Sequence, residues 1–339
     1  MGVALLRLKS WFYLLLQFGY VFLVILFLGV LFLGMANLLV YFVFGIIIFV
    51  FFYLISNYTM KRRIRKNGIR LEGEALTRAV GGGYTGGQIF DMVSEVCTKS
   101  NKPIPRNLYV LRDSSLNAFT FGGGRGAWLV VHEGLLQGLR EDEIKAVIAH
   151  EVGHIRHGDA RMMIVLMAIP FIVGIIARSL LWGGLYGSYG YRRQRGGGAA
   201  VAMLIGGILL VSVFFLQLLS LAFSRSREYL ADVHGARVAG PEAMSNALLR
   251  ISNGISVNDL AARQSSKMAD SLLISPRYLS HGQEGTYWAS FDVDRSGALD
   301  TEELRTAASR TKRVGDGVLS THPAIHNRIL NIAKNVLMT

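Results

Sequence analysis

Residues 10–60 contain no Lys, Arg, Asp or Glu, and most of the 51 positions are aliphatic or aromatic. A helix that is apolar all round has to be buried or sit in lipid. A bilayer core about 30 Å thick takes about 20 helical residues, so the run is too long for one crossing. Dividing it at residues 34–37 gives spans at 11–33 and 38–55, joined as a hairpin. A cleaved signal peptide would instead need an apolar stretch of about 7–15 residues and a small-residue cleavage site, and the sequence offers neither. Two later apolar runs, 162–182 and 199–223, predict a second hairpin, the first of them interrupted by Pro170 and Arg178.

Charge placement orients these hairpins. Arg7 and Lys9 precede the first, and Lys61, Arg62, Arg63, Arg65, Lys66 and Arg70 follow it, which by the positive-inside rule puts both ends in the cytoplasm. Arg192, Arg193 and Arg195 lie in the loop of the second hairpin, on the side that should be poor in positive charge; full crossing is the expectation nonetheless. The net charge of +13 could suit nucleic acid, but the basic cluster lies beside a span and lacks interleaved aromatic residues, which fits lipid headgroups and excludes a nucleic-acid partner. The single cysteine, Cys97, excludes an internal disulfide and a cysteine-based metal cluster. Residues 61–161 and 224–339 have mixed composition and are together large enough for one core, so the expected organisation is hairpin (1–60), first half of a cytoplasmic domain (61–161), hairpin (162–223) and second half (224–339). Patterning predicts a helix at 88–99 and short strands at 107–112, 116–121 and 127–132. The fold class is α+β: a mostly helical multi-pass membrane protein whose polar domain carries a small sheet.

The chemistry concentrates at His150-Glu151-Val152-Gly153-His154, preceded by Glu141, Asp142 and Glu143, acidic residues suited to the first turn of a helix. On a helix, residues i and i+4 share a face, so both imidazoles can hold one zinc ion while Glu151 stands beside the attacking water. A catalytic zinc takes a third protein ligand. A histidine six residues after the second one is excluded, because position 160 is Ala160; His157, next to Gly158, reads better as a helix C-terminal residue. Spacing permits Glu228, which shares a helix face with Asp232; the latter could fix a ligand imidazole.

These residues resemble the HtpX-type integral-membrane zinc metalloproteases, relatives of the type I CAAX prenyl proteases. The resemblance rests on the N-terminal hydrophobic hairpin, on Asn117-Ala118-Phe119 followed by glycines, on the His150 motif, on Glu228 with Asp232, and on Ser320-Thr321-His322-Pro323 followed by Arg328. It implies a zincin (gluzincin-like) endopeptidase facing the cytoplasm, acting on membrane or unfolded polypeptides in envelope quality control and stress response. It assigns Glu228 as third zinc ligand, Glu151 as catalytic base, His322 as oxyanion donor, and Asp232 and Arg328 as supports. Residues 116–121, with Asn117, Ala118 and Phe119, would bind substrate as an edge strand.

One segment departs from that family's pattern. Residues 292–303 match an EF-hand loop position by position: oxygen ligands from Asp292, Asp294, Ser296 and Asp300, the carbonyl of Ala298, a bidentate Glu303, and Gly297 at the sharp turn. With helix ends at 287–291 and 304–308 this predicts a calcium-binding insertion at about 283–309 that modulates the enzyme. Gly81, Gly83 and Gly86 match a dinucleotide-binding spacing but lack its strand and acid, so they read as a loop. Three rivals stay open: a silent zinc-binding scaffold, which would not need Glu151; a calcium-responsive membrane sensor; and a prenyl-protein protease, for which four spans enclose too little chamber.

Overall fold

The computed structural model describes residues 4, 5, 7–9, 11–13, 15–17, 19, 35–187, 196–262, 290–317, 319, 320 and 322–338. Most of the span expected at 11–33, the arginines of the 188–195 loop, Thr321, and the expected entry helix at 287–289 lie outside these residues. The chain separates into two units, one made of residues 1–9, 62–161 and 224–339, the other of residues 10–61 and 162–223.

In the apolar unit, helix α1 (Met35–Asn67) continues twelve residues beyond the span end expected at 55. Its last turns hold Lys61, Arg62, Arg63, Arg65 and Lys66, which are good helix formers, and it stops at Gly68. The composition change therefore marks where apolar sequence ends, not where the helix ends. Among the described residues three helices are long and apolar enough to cross a membrane: Val43–Asn67, Asp159–Leu185 and Gly198–Ala239. Phe44, Phe51, Phe52, Phe214 and Phe215 point outward and are exposed, as lipid-facing residues should be.

Pro170 sits inside a 29-residue helix, Asp159–Gly187, where its ring leaves the carbonyl four residues earlier without an N–H partner. That carbonyl, Leu166 O, accepts from Gln17 Nε2 and from Ser220 Oγ, each at 3.3 Å. Gln17 is fully buried. A side chain from the first apolar run thus satisfies the proline break, the kind of repair a lipid environment demands.

In the polar unit, β1 (Gly68–Arg70), β2 (Ala79–Gly81) and β3 (Tyr84–Thr85) precede helix α2 (Gly86–Lys99), which Thr85 and Gln88 cap reciprocally. Strands β4 (Asn107–Leu111), β5 (Ala118–Phe121) and β6 (Trp128–His132) fall within the three segments expected from sequence. The sheet order is β1-β4-β6-β5, with β4 parallel to β6 and the outer pairs antiparallel. β5 is therefore an edge strand.

Helix α3 (Glu133–Gly138) leads to α4 (Glu141–His157), whose start is fixed by the Glu143 carboxylate accepting from Arg140 N at 2.9 Å. Gly158, at φ 70°, ends it in a left-handed turn. The proline-broken helix is α5, and α6 (Gly196–Ala239) runs unbroken from apolar sequence into the segment with Glu228 and Asp232. Gly240, at φ 107°, breaks it, and Pro241 opens α7 (Pro241–Ala262). Helices α8 (Thr301–Arg310) and α9 (Ile325–Ile332) complete the unit. One core joins the sheet to α2, α3 and α4 through Ile89, Val110, Leu129, Val131 and Ile148. A second gathers α7, α8 and α9 through Met244, Leu248, Leu304 and Ile329.

Candidate metal centre

Two glycines let α6 lie close against α4. A Cβ at Gly153 would come 3.3 Å from Ala231 Cα, and one at Gly235 would meet Met244 Sδ at 2.8 Å and His150 N at 3.3 Å. A side chain at either position would crowd the facing helix, and the close approach brings Glu228 and Asp232 to the two histidines.

The ring nitrogens His150 Nε2 and His154 Nε2 are 3.1 Å apart. Glu228 Oε1 lies 3.4 Å from His154 Nε2, and Glu228 Oε2 lies 3.8 Å from His150 Nε2. Ligand atoms about 2.0–2.1 Å from a tetrahedral ion stand about 3.3–3.4 Å from one another. The separations among the two nitrogens and the Glu228 carboxylate oxygens lie around that value, so these residues fit one zinc-sized ion. His150, Glu151 and His154 also offer ligand atoms that lie within 4.8 Å of one another.

Both imidazoles are held from behind. His150 Nδ1 is 3.0 Å from Asp232 Oδ1, and His154 Nδ1 is 2.7 Å from Asp159 Oδ2. At His154 the hydrogen-bonded carboxylate fixes the tautomer and leaves Nε2 for a metal, whereas Asp232 stands at ion-pair distance from His150 without hydrogen-bond alignment. Arg328 is 2% exposed and donates in fork fashion to Asp232 at 2.8 and 2.6 Å. Arg227 turns both Nε, at 2.6 Å, and Nη2 toward the single oxygen Asp159 Oδ1. Burial disfavours a charged ring at His154, but hydrogen bonds to Asp159 and Glu228 outweigh it and hold the pKa well above the ordinary value.

Glu151 is 2% exposed. Burial pushes its carboxyl above the ordinary range, against the pull of His154, His150 and Thr120. Thr120 Oγ1, on the edge strand β5, donates to Glu151 Oε2 at 2.9 Å, while Oε1 has no hydrogen-bond partner among the described residues. One oxygen is anchored and the other is free for a proton. At the start of the same edge strand, Asn117 is buried with neither amide atom bonded among the described residues, Ala118 is buried, and Phe119 stacks on Phe121 with ring centres 6.2 Å apart.

His322 joins the cluster with Nδ1 at 3.0 Å from Glu228 Oε2. Arg328 reaches Glu228 only at 3.5 Å and spends its fork on Asp232. The structure therefore brings together His150, Glu151, His154, Glu228, Asp232, His322 and Arg328. His157 faces His234, ring centres 6.2 Å apart. Sequence reading missed Asp159, Thr120, Gly153 and Gly235. Asp159 carries a faint signal, as the first carboxylate beyond the helix stop; Thr120 adjoins the expected substrate strand; the glycines carry none.

The second cluster stands on the 292–303 loop. Asp292, Asp294 and Glu303 offer oxygens that lie within 4.8 Å of one another. Asp292 accepts from Ser296 N and Gly297 N, each at 2.9 Å, and Gly297 adopts φ 76°. Asp300 caps α8, so the exit helix starts three residues earlier than the expected 304. On the entry side, Phe291 lies in a turn.

A histidine, glutamate and carboxylate cluster on paired helices beside an edge strand, in a chain with membrane-length apolar helices, defines a membrane-bound metallopeptidase. The family model described as Peptidase family M48 matches residues 85–336, and the chain belongs to that family. It is 33% identical over 229 residues to a Protease HtpX homolog of Aeropyrum pernix, an alignment covering 66% of this chain and 68% of that one. Protease HtpX homologs of Syntrophobacter fumaroxidans and Aquifex aeolicus are 35% and 34% identical, each over 48% of this chain and over 58% and 55% of their own length. The chain thus spans little more than half of these last two relatives. No solved structure matches it.

Proposed function

We propose that the protein is a zinc-dependent endopeptidase that cleaves membrane or misfolded polypeptides at the inner membrane, with its site facing the cytoplasm, in envelope quality control. The observation that carries this reading is the convergence of His150 Nε2, His154 Nε2 and the Glu228 carboxylate, the two nitrogens 3.1 Å apart and 3.8 and 3.4 Å from one or the other carboxylate oxygen. A zinc ion there would supply the positive charge that activates water and polarises the scissile carbonyl. Glu151, through its free oxygen, takes the proton of the attacking water and returns it to the leaving amine. His322 donates to the developing oxyanion, and Asp232, backed by Arg328, holds His150 in its tautomer. An extended substrate adds to the open edge of β5 by main-chain hydrogen bonds, beside Asn117, Ala118 and Phe119, and reads little sequence. In the same reading Asp292, Asp294, Ser296, Ala298, Asp300 and Glu303 hold calcium and modulate the enzyme.

The test is casein cleavage by detergent-purified, zinc-loaded wild type and Glu151→Gln. The reading expects at least a thousandfold lower turnover in the variant at equal zinc content. Equal cleavage would remove Glu151 as base, and inactivity of both proteins at full zinc loading would favour a scaffold.

A further inference from the structure

EF-hand loops work in pairs, yet the described residues contain one. The main chain of Leu299, at the eighth position of the loop, faces the side chain of Asn246 on α7. Leu299 N donates to Asn246 Oδ1 at 2.8 Å, and Asn246 Nδ2 donates to Leu299 O at 2.9 Å. Both bonds are buried, and Asn246 is 4% exposed. A carboxamide presents one acceptor and one donor side by side, as an extended backbone does, so Asn246 offers Leu299 what a neighbouring strand would offer.

The carboxylates of the loop gather on the other side of this pair. Glu303 is 8% exposed, and no basic side chain among the described residues neutralises it. Its oxygens accept only main-chain N–H groups, from Val293 at 2.6 Å and Asp300 at 3.0 Å. Asp292 and Asp294 stand beside it. The three carboxylates thus converge on one point, with the Glu303 oxygens already accepting main-chain N–H groups, and a calcium ion there would find oxygen ligands from each.

We infer that residues 292–303 form a calcium site whose missing pairing partner is supplied by the peptidase domain itself through Asn246, so that calcium occupancy is transmitted to the metal centre. This rests on the calcium reading above. Arg250 lies one helical turn beyond Asn246, and its Nε donates to Glu143 Oε1 at 2.8 Å. Glu143 is fully buried, caps α4, and precedes His150 by two turns. A second path runs through the shared core of Leu299, Leu304, Leu248 and Ile329 to α9, which carries Arg328 and so Asp232. A cation that closes the loop on Glu303 tightens Leu299 against Asn246 and braces the cap of α4.

The experiment is calcium titration of the full chain in detergent, zinc-loaded, by calorimetry, with casein cleavage followed in parallel. Wild type should bind one calcium and change its cleavage rate on binding, while Glu303→Gln should do neither. Asn246→Leu should bind calcium at least about tenfold more weakly, since two buried hydrogen bonds are lost; Asn246→Asp, which keeps the acceptor, should fall between. Zinc stoichiometry of each variant checks that it folds. Arg250→Met should bind calcium like wild type and lose much of the response. Absence of calcium binding by a wild type that still cleaves casein would overturn the calcium site and leave the peptidase standing. Unchanged affinity in Asn246→Leu would overturn its pairing role, and an unchanged response in Arg250→Met would overturn the route.

Discussion

Arg328→Met tests how the metal centre is braced. Arg328 is 2% exposed and Asp232 is fully buried, and the two share a forked pair with bonds of 2.8 and 2.6 Å. Removing the guanidinium leaves the Asp232 carboxylate buried with His150 Nδ1 at 3.0 Å as its remaining partner. Leaving one charge of a buried pair uncompensated costs about 3–5 kcal/mol. In a domain of this size that lowers the melting temperature by roughly 6–20 °C. The measurement is thermal unfolding of chelator-treated protein in detergent at fixed pH, followed by tryptophan fluorescence. Arg328→Lys should recover only part of the loss, because an ammonium cannot reproduce the fork. The double variant Arg328→Met with Asp232→Leu should be more stable than Arg328→Met alone, since no lone charge remains. A melting temperature within 2 °C of wild type for Arg328→Met would refute the reasoning.

Thr120→Val should lower kcat about tenfold with KM and zinc content little changed, while Thr120→Ser keeps the hydroxyl and the rate; steady-state kinetics on a quenched peptide separates the two. Asp159→Asn should weaken zinc binding about 10–100-fold in competition with a chromophoric chelator, because His154 loses its charged partner. Burial, with help from Arg227, pulls the pKa of His157 down to about 4. The unfolded ring titrates near 6.5, so between those values the unfolded state binds the extra proton. Stability should therefore fall by about 2 kcal/mol as pH drops through that window and stay flat above it, after allowance for solvent screening. Denaturation of His157→Gln against pH should lack that slope. Gly235→Ala should destabilise by about 1–3 kcal/mol and lower zinc affinity, because its methyl has to displace Met244 and crowd the backbone at His150; unfolding and zinc titration read the two effects.

What could be read in the sequence followed from local periodicity. The i, i+4 spacing of His150 and His154 needs only a helix to become a pair, and the three strands announced themselves as short apolar runs between turn residues. Glu228 and Asp232 were legible as one face of a helix, although the packing that brings them to His150 was not. That packing depends on Gly153 and Gly235, whose small size acts between elements far apart in sequence. Asp159 and Thr120 escaped for a related reason, since a carboxylate after a helix stop and a threonine in a strand gain their meaning from the partner each meets. α1 runs on past the apolar stretch because lysine and arginine end an apolar run without ending a helix. Asn246 had no sequence signal at all, its role being set by a main chain 53 residues away.

The central claim is that one zinc is held by His150, His154 and Glu228, and X-ray absorption at the zinc edge of the loaded protein addresses it directly. Two imidazole nitrogens and carboxylate oxygen are expected at about 2.0–2.2 Å, with one oxygen scatterer altered in Glu228→Ala and zinc affinity reduced. A sulfur shell at about 2.3 Å, which would bring in Cys97, or a spectrum indifferent to Glu228→Ala would contradict it.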